Sequence, residues 1–337
     1  MISLAPSVVK KDNTDGLIGT IMAVLPKPLR SLVQQLPKKN LKSLEEIRLR
    51  QGRPLVLGLN RQDYFLNSQG GLTVDSLQGY VVSADDIQRT TQLISNSSLY
   101  AIEEELKNGY ITLPGGHRVG LTGKVLAEQG KVRTIKYLSG FNIRLSRPVL
   151  GAADGVLKYL LAPGGGFYHT MLISPPRCGK TTMLRDIVRQ LSNGIPSLGF
   201  PGVTVGVVDE RSEIAGSYRG VPQHDVGVRT DVLDTCPKAA GMMMLIRAMS
   251  PQIIATDEIG RMADIEMLEE VFNAGVKVLT TVHGSGMEEL MRRPALKRLL
   301  QMGVIERFVI LSRTKGVGTV ERIIDGTTLQ DVGVKRC

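Results

Sequence analysis

The chain has 337 residues, 42% of them apolar, and a formal net charge of +10. That length allows two domains with substantial cores, and no apolar run approaches the ~20 residues that a membrane-spanning helix needs. The positive charge admits nucleic acid, anionic lipid or nucleotide as partner without choosing among them, but 6 Phe, 8 Tyr and no Trp leave little material for a base-stacking platform. Cys178, Cys236 and Cys337 show no metal-ligand or disulfide spacing, which fits a reducing cytoplasm. The start, Met1–Lys11, lacks the basic segment and longer apolar stretch of a secretory signal.

In chain order, apolar positions from Leu17 to Leu36 recur at helical spacing, and Pro26 and Pro28 divide them into two short helices. Leu44–Arg50 partly alternates apolar and charged residues as on a half-exposed strand. Gln51-Gly-Arg-Pro54 reads as a turn, and Leu55–Leu59 and Tyr64–Leu66 as further strands. A helix begins after Ser83, its expected N-cap, with Asp86 in the first turn. Another runs from about Leu99 to Lys107 and stops at Asn108-Gly109. Strands follow at Tyr110–Leu113, His117–Thr122, Lys131–Leu138 and Asn142–Leu145. Residues 1–150 therefore read as a mixed α+β domain, and Gly151–Gly166, with five glycines, as the boundary to a second domain over 151–337.

The second domain is organised around Met171–Leu184. An apolar strand leads into Ser174-Pro-Pro-Arg-Cys-Gly-Lys-Thr181, and helical periodicity then runs through Met183, Leu184, Ile187, Val188 and Leu191. This is close to the phosphate-binding pattern G-x-x-x-x-G-K-[ST], with Ser174 in place of the first glycine and Pro175-Pro176 stiffening the entrance. Backbone N–H groups of Arg177, Cys178, Gly179 and Thr182 and the helix dipole would cradle phosphates. Gly179 would let the backbone approach, Lys180 would reach the β/γ-phosphates, and the Thr181 hydroxyl would bind Mg²⁺. Downstream, Val203–Val208 is a strand ending in Asp209-Glu210, Lys238–Met249 a helix, and Ile253–Thr256 a strand delivering Asp257-Glu258. Met262–Asn273 is a helix, and Val276–Val282 a strand that ends at His283. Such alternation makes an α/β domain with a parallel-rich sheet, its ligand site at the carboxyl ends of the strands.

Adjacent acids after an apolar strand suit a division of labour in which Asp257 holds Mg²⁺ and Glu258 orients or deprotonates the attacking water. Asp209 and Glu210 repeat the arrangement, although Glu210 and Glu213 could instead pair locally with Arg211 and Arg219. His283, at a third strand end, is positioned to sense a γ-phosphate.

The order of these motifs resembles the secretion ATPases of type II and type IV systems and pilus motors. Their phosphate loop, aspartate box, Walker B box and histidine box follow one another as Ser174–Thr182, Val207–Glu213, Arg247–Glu258 and Val278–His283 do here. Glu45–Arg50 followed by Val56–Leu59 is similar to that family's opening strands. The stretches Val208–Ala215, Tyr218-Arg-Gly-Val-Pro222, Val232-Leu-Asp234 and Ser250-Pro-Gln252 resemble a branch acting in endospore formation. The resemblance implies a RecA-like, hexameric, ATP- and Mg²⁺-dependent ATPase in the mother-cell cytoplasm. It also implies peripheral membrane association through membrane-protein partners of a secretion-like channel complex between mother cell and forespore. Glu258 matches the Walker B glutamate, Asp257 stands where many members have glycine, and Asp209-Glu210 match the aspartate-box acids. Arg118 and Arg144 sit where that family's phosphate-closing arginines fall; as surface arginines on strand edges they would have no such role. Two other classes compete: a RecA-like ATPase acting on nucleic acid, and a nucleotide-gated scaffold that the intact Asp257-Glu258 pair argues against.

Overall fold

The computed structural model describes residues 14–98 and 102–333. Met1–Lys11, the expected helix start at Leu99, and Cys337 lie outside the described residues. The chain divides into two compact units, Met1–Arg147 and Pro148–Cys337.

In the first unit, helices α1 (Thr14–Ala23) and α2 (Lys27–Gln34) part at the prolines, with Pro26 as the N-cap of α2. Pro28 is tolerated because the first turn has no use for its missing N–H. After α3 (Lys38–Ser43) come β1 (Leu44–Arg50), β2 (Val56–Leu59), β3 (Gln62–Leu66) and β4 (Leu72–Thr73). Helix α4 (Ala84–Ile94) starts in a reciprocal cap: Asp86 N–H donates to Ser83 Oγ at 3.1 Å, and Ser83 N–H donates to Asp86 Oδ2 at 2.9 Å. Helix α5 (Glu103–Asn108) ends at Gly109, whose φ of +74° suits the left-handed cap.

Strands β5 (Tyr110–Leu113), β6 (His117–Glu128) and β7 (Lys131–Arg144) complete an antiparallel sheet in the order β4-β3-β2-β1-β7-β6-β5. Ile47, Leu49, Leu57, Val119 and Ile143 join Leu25 and Leu29 in its core. The sequence suggested separate strands at 131–138 and 142–145, whereas β7 runs unbroken. Gly140 is needed there for close approach, since a Cβ would lie 2.7 Å from Thr122 Oγ1 and 2.9 Å from the Leu49 carbonyl.

The second unit runs α6 (Leu157–Leu160), β8 (Thr170–Ser174), α7 (Lys180–Asn193), β9 (Val205–Asp209), β10 (Thr230–Asp234), α8 (Lys238–Met249) and β11 (Ile253–Thr256). Then come α9 (Met262–Asn273), β12 (Lys277–His283), α10 (Met287–Met291), α11 (Pro294–Gln301), β13 (Arg307–Ser312) and β14 (Thr319–Asp325). Its sheet has the order β10-β9-β11-β12-β8-β13-β14, parallel except for β14, which pairs antiparallel with β13. Strands β8, β9 and β11 are buried along their whole length, as expected for a parallel sheet covered on both faces. Alternate residues divide between two cores. Leu172, Val207 and Ala255 pack with Leu184, Ile187 and Leu191 of α7, while Met171, Ile173 and Ile254 pack with Leu245 of α8 and Leu268 of α9. All the strand ends that carry the singled-out acids and histidine therefore open on one edge of the sheet.

Candidate nucleotide site

The turn from β8 into α7 is held by its own chemistry. Ser174 is buried and donates its hydroxyl to the Pro175 carbonyl at 2.9 Å, so a serine can stand where the pattern has glycine. Pro176 and Arg177 are exposed, and Cys178 is buried. Gly179 caps α7 with φ +87°, and a Cβ there would meet Val317 Cγ1 at 2.9 Å and Gly318 N at 3.2 Å. Both its conformation and its crowding require glycine. The β13–β14 turn thus lies on the phosphate loop, anchored by Gly318 N–H donating to the Cys178 carbonyl at 3.0 Å. Helix α7 has no acid in its first turn, leaving its amino terminus free for an anion. Thr181 and Thr182 are half-buried there.

Register brings the other groups in. His283, last in β12, pairs with Ser174, last in β8. Lys180 Nζ donates to the Ser174 carbonyl at 3.3 Å and lies 2.8 Å from His283 Nδ1, and His283 Nε2 lies 2.7 Å from Glu258 Oε1. An ammonium can only donate, so Nδ1 accepts, Nε2 carries the imidazole proton, and Glu258 accepts it. Glu258 Oε2 accepts from Arg211 Nη1 at 2.6 Å. Burial pulls the Lys180 amine below its ordinary pKa, while the charges of Glu258, Cys178, Asp257 and Glu213 hold it up.

Asp257 is 1% exposed, and neither of its carboxylate oxygens has a hydrogen-bond partner. Burial first, and then the neighbouring Asp209 charge, push its pKa up to about 7. Asp209 is differently placed: Oδ1 accepts from Glu213 N–H at 2.8 Å, and Oδ2 from Ile214 and Ala215 N–H at 3.0 and 2.8 Å. Burial raises its pKa and those amides oppose the rise. Both its oxygens are spent on holding the 210–215 loop. Glu210 pairs with buried Lys238, and Arg211 with Glu258 across to the next strand end.

Arg118 and Arg144 belong to the first unit, where they are direct cross-strand partners on β6 and β7. Arg118 lies 3.7 Å over the Tyr110 ring, and Arg144 is exposed, with Glu46 opposite it on β1. Four contributors escaped the sequence reading: Arg185, Arg211, Lys238 and the β13–β14 turn. Arg185 donates to the Ile214 and Glu213 carbonyls at 2.5 and 2.6 Å, fastening α7 to the acidic loop. Lys238 did leave a signal, because a lysine opening a helix opposes the dipole and calls for an acid nearby. Among the described residues no group of three or more His, Cys, Asp or Glu could cage a metal ion, and no helix is long and apolar enough to cross a membrane. Cys178 and Cys236 are free thiols.

A phosphate loop after an inner parallel strand, with acids and a histidine at adjoining strand ends, defines a RecA-like P-loop ATPase fold. Solved structures bear this out. The ATPase DotB of Legionella pneumophila superimposes with a TM-score of 0.53 at 16% identity, over 92% of this chain and 79% of that one. DotB of Yersinia pseudotuberculosis gives 0.54 at 16% identity, over 85% and 76%. At that identity the likeness is one of fold, the fold of secretion ATPases. The chain itself belongs to the family Sporulation stage III, protein AA, whose model matches residues 18–330. Stage III sporulation protein AA of Bacillus subtilis (strain 168) is 44% identical over 323 residues, covering 95% of this chain and all (100%) of that one. A more remote relative, the uncharacterized protein ycf45 of Porphyra purpurea, is 28% identical over 163 residues, 48% of this chain and 27% of that protein.

Proposed function

We propose that this chain is a Mg²⁺-dependent ATPase of spore formation, working as a homohexamer docked on membrane-protein partners of a secretion-like channel between mother cell and forespore. The observation that carries the catalytic part is the chain of contacts from Lys180 through His283 to Glu258, at the strand ends beside the phosphate loop. Phosphates bound at the amino terminus of α7 take Lys180 as their cation and draw it away from His283. Glu258 then receives the proton of a water whose oxygen attacks the γ-phosphorus. The bond from that phosphorus to the β-phosphate's bridging oxygen breaks, giving ADP and inorganic phosphate.

The residues fit Mg²⁺: Asp257 offers two buried oxygens without partners, Thr181 offers a hydroxyl in the first turn of α7, and this ion characteristically takes one or two protein oxygens with phosphates completing the set. When bound, Mg²⁺ neutralises charge developing on the phosphate oxygens. Asp209 and Glu210 act through the loop they fix, and Arg118 and Arg144 supply guanidinium groups to the phosphates when the ring closes.

The experiment is ATP turnover by the purified chain, with Mg²⁺ or with EDTA, and with or without single-stranded DNA. Mg²⁺-dependent turnover indifferent to DNA is expected. Strong stimulation by DNA would favour a nucleic-acid motor, and ATP binding without turnover a nucleotide-gated scaffold.

A further inference from the structure

Arg211 lies outside the phosphate loop and outside the acids, yet it reaches Glu258. We infer that Arg211 is a γ-phosphate sensor in the same chain, which distinguishes ATP from ADP by exchanging the Glu258 carboxylate for the γ-phosphate. The inference rests on the nucleotide reading above and names a residue that reading does not use.

Three observations carry it. First, the loop bearing Arg211 is fixed on every side. Asp209 binds three of its amides, Glu210 binds Lys238, and Arg185 holds two of its carbonyls. Arg211 projects from this frame to Glu258 at 2.6 Å, so the exchange needs only a side-chain movement. Second, the pair is weakly held. Arg211 is 52% exposed, and exposed ion pairs change an equilibrium by no more than about fivefold. A γ-phosphate carries more charge than a carboxylate and offers the same paired-oxygen geometry to a guanidinium. It therefore outcompetes Glu258. Third, the backbone is unusual at one end of the pair and beside the other. Glu258 has φ +44° and Ser212, next to Arg211, has φ +53°, conformations that non-glycine residues adopt rarely and that cluster at working sites.

The resting arrangement explains why such a sensor is useful. Glu258 has one oxygen on His283 and the other on Arg211, while His283 is in turn held by Lys180. Two donors occupy the carboxylate, one on each oxygen. A γ-phosphate that takes both Lys180 and Arg211 loosens both holds together, so the base is released only when there is a bond to hydrolyse. ADP has no group at that position and leaves the Arg211–Glu258 pair closed.

The test compares the parent with Arg211→Ala and Arg211→Lys, measuring dissociation constants for ADP and for a non-hydrolysable ATP analogue with Mg²⁺, together with steady-state turnover. Apo melting checks that each variant folds, and Lys180→Ala serves as the control that weakens both nucleotides. For Arg211→Ala we expect ADP affinity within about twofold of the parent, since exposed-pair losses are small. Analogue affinity should fall about tenfold or more, as for loss of a charge-assisted bond, and kcat by at least about 10²-fold. Arg211→Lys should recover part of both. An unchanged ratio of analogue to ADP affinity would overturn the assignment, whether turnover stayed at the parental rate or rose. Loss of both affinities together in a folded variant would overturn it too, making Arg211 part of the general phosphate site. If the parent bound neither nucleotide, the site reading itself would fail and this inference with it.

Discussion

Asp257→Asn should make the nucleotide-free protein more stable at alkaline pH. The parent buries a carboxylate with no hydrogen-bond partner, and its pKa rises from an ordinary 3.8 to about 7. At 1.36 kcal/mol per pH unit that gap corresponds to ~4 kcal/mol lost when the group is charged. The folded protein holds this proton more tightly than the unfolded chain, so unfolding releases it between about pH 4 and pH 7. Stability therefore falls as pH rises through that window and stays low above it. The amide keeps the side chain's shape and cannot ionise, but has its own desolvation cost, so a gain of ~2–4 kcal/mol at pH 8 is expected. For a domain of 150–250 residues that raises the melting temperature by about 5–15 °C, shrinking to a few degrees at pH 5. Thermal melts of parent and variant from pH 5 to 8 without Mg²⁺ or nucleotide read this directly. Identical pH slopes for the two proteins, or a parent more stable than the variant at pH 8, would refute it. Adding Mg²⁺ and ATP should stabilise the parent much more than the variant.

Lys180→Ala should abolish tight ATP binding and turnover; parental hydrolysis by this variant would sink the phosphate-loop assignment. Glu258→Gln should keep nucleotide affinity while cutting turnover by ~10²–10⁴, and lost affinity with unchanged turnover would make Glu258 a binding group instead. Arg144→Ala and Arg118→Ala should retain ADP binding and lose turnover by as much as ~10³–10⁵. Activity recovered on mixing Arg144→Ala with Glu258→Gln protein would mark action across subunits, and full activity of both arginine variants alone would return them to ordinary surface charges.

The elements that local sequence rules govern were legible. The prolines around α2, the Ser83–Asp86 cap and the left-handed Gly109 each follow from the chemistry of one or two residues. The alternation that makes the second sheet was legible as far as β12, because its strands are short apolar runs separated by helical periodicity. Strand β10 was not: Thr230–Asp234 is half-buried and mixes acids with apolar residues, as an edge strand can. Continuous β7 was hidden by Ser139-Gly140, which reads as a break because sequence shows a glycine's freedom and not its crowding. In the site, motif spacing picked out Lys180, Glu258 and His283, which the structure joins in one chain of contacts. It could not separate the tasks of Asp209 and Asp257, both acids after apolar strands. What separates them is whether backbone amides reach the carboxylate, and the fold of residues 213–215 decides that.

That difference bears on how the site stores its readiness. Asp209 satisfies its charge with three amides, and Glu210 satisfies its own with Lys238, so the loop they hold is stable with no ligand present. Asp257 and Lys180 are left less satisfied: one is buried without a hydrogen-bond partner, and the other is partly desolvated at the end of a helix whose dipole disfavours a cation. Under the proposed function, phosphate at the amino terminus of α7 would relieve the lysine, and a divalent cation would relieve the aspartate. Neither relief is available from the protein alone without moving the groups out of position. A resting state that is costly at these two residues, and at the strained backbone of Glu258 and Ser212, would therefore meet the proposed ligand with part of the unfavourable charge and conformation already in place. Substitutions that relax Asp257 or Lys180 should raise the stability of the free protein and weaken the complex, whereas truncations in the α7 core should lower the stability of the free protein without any such trade.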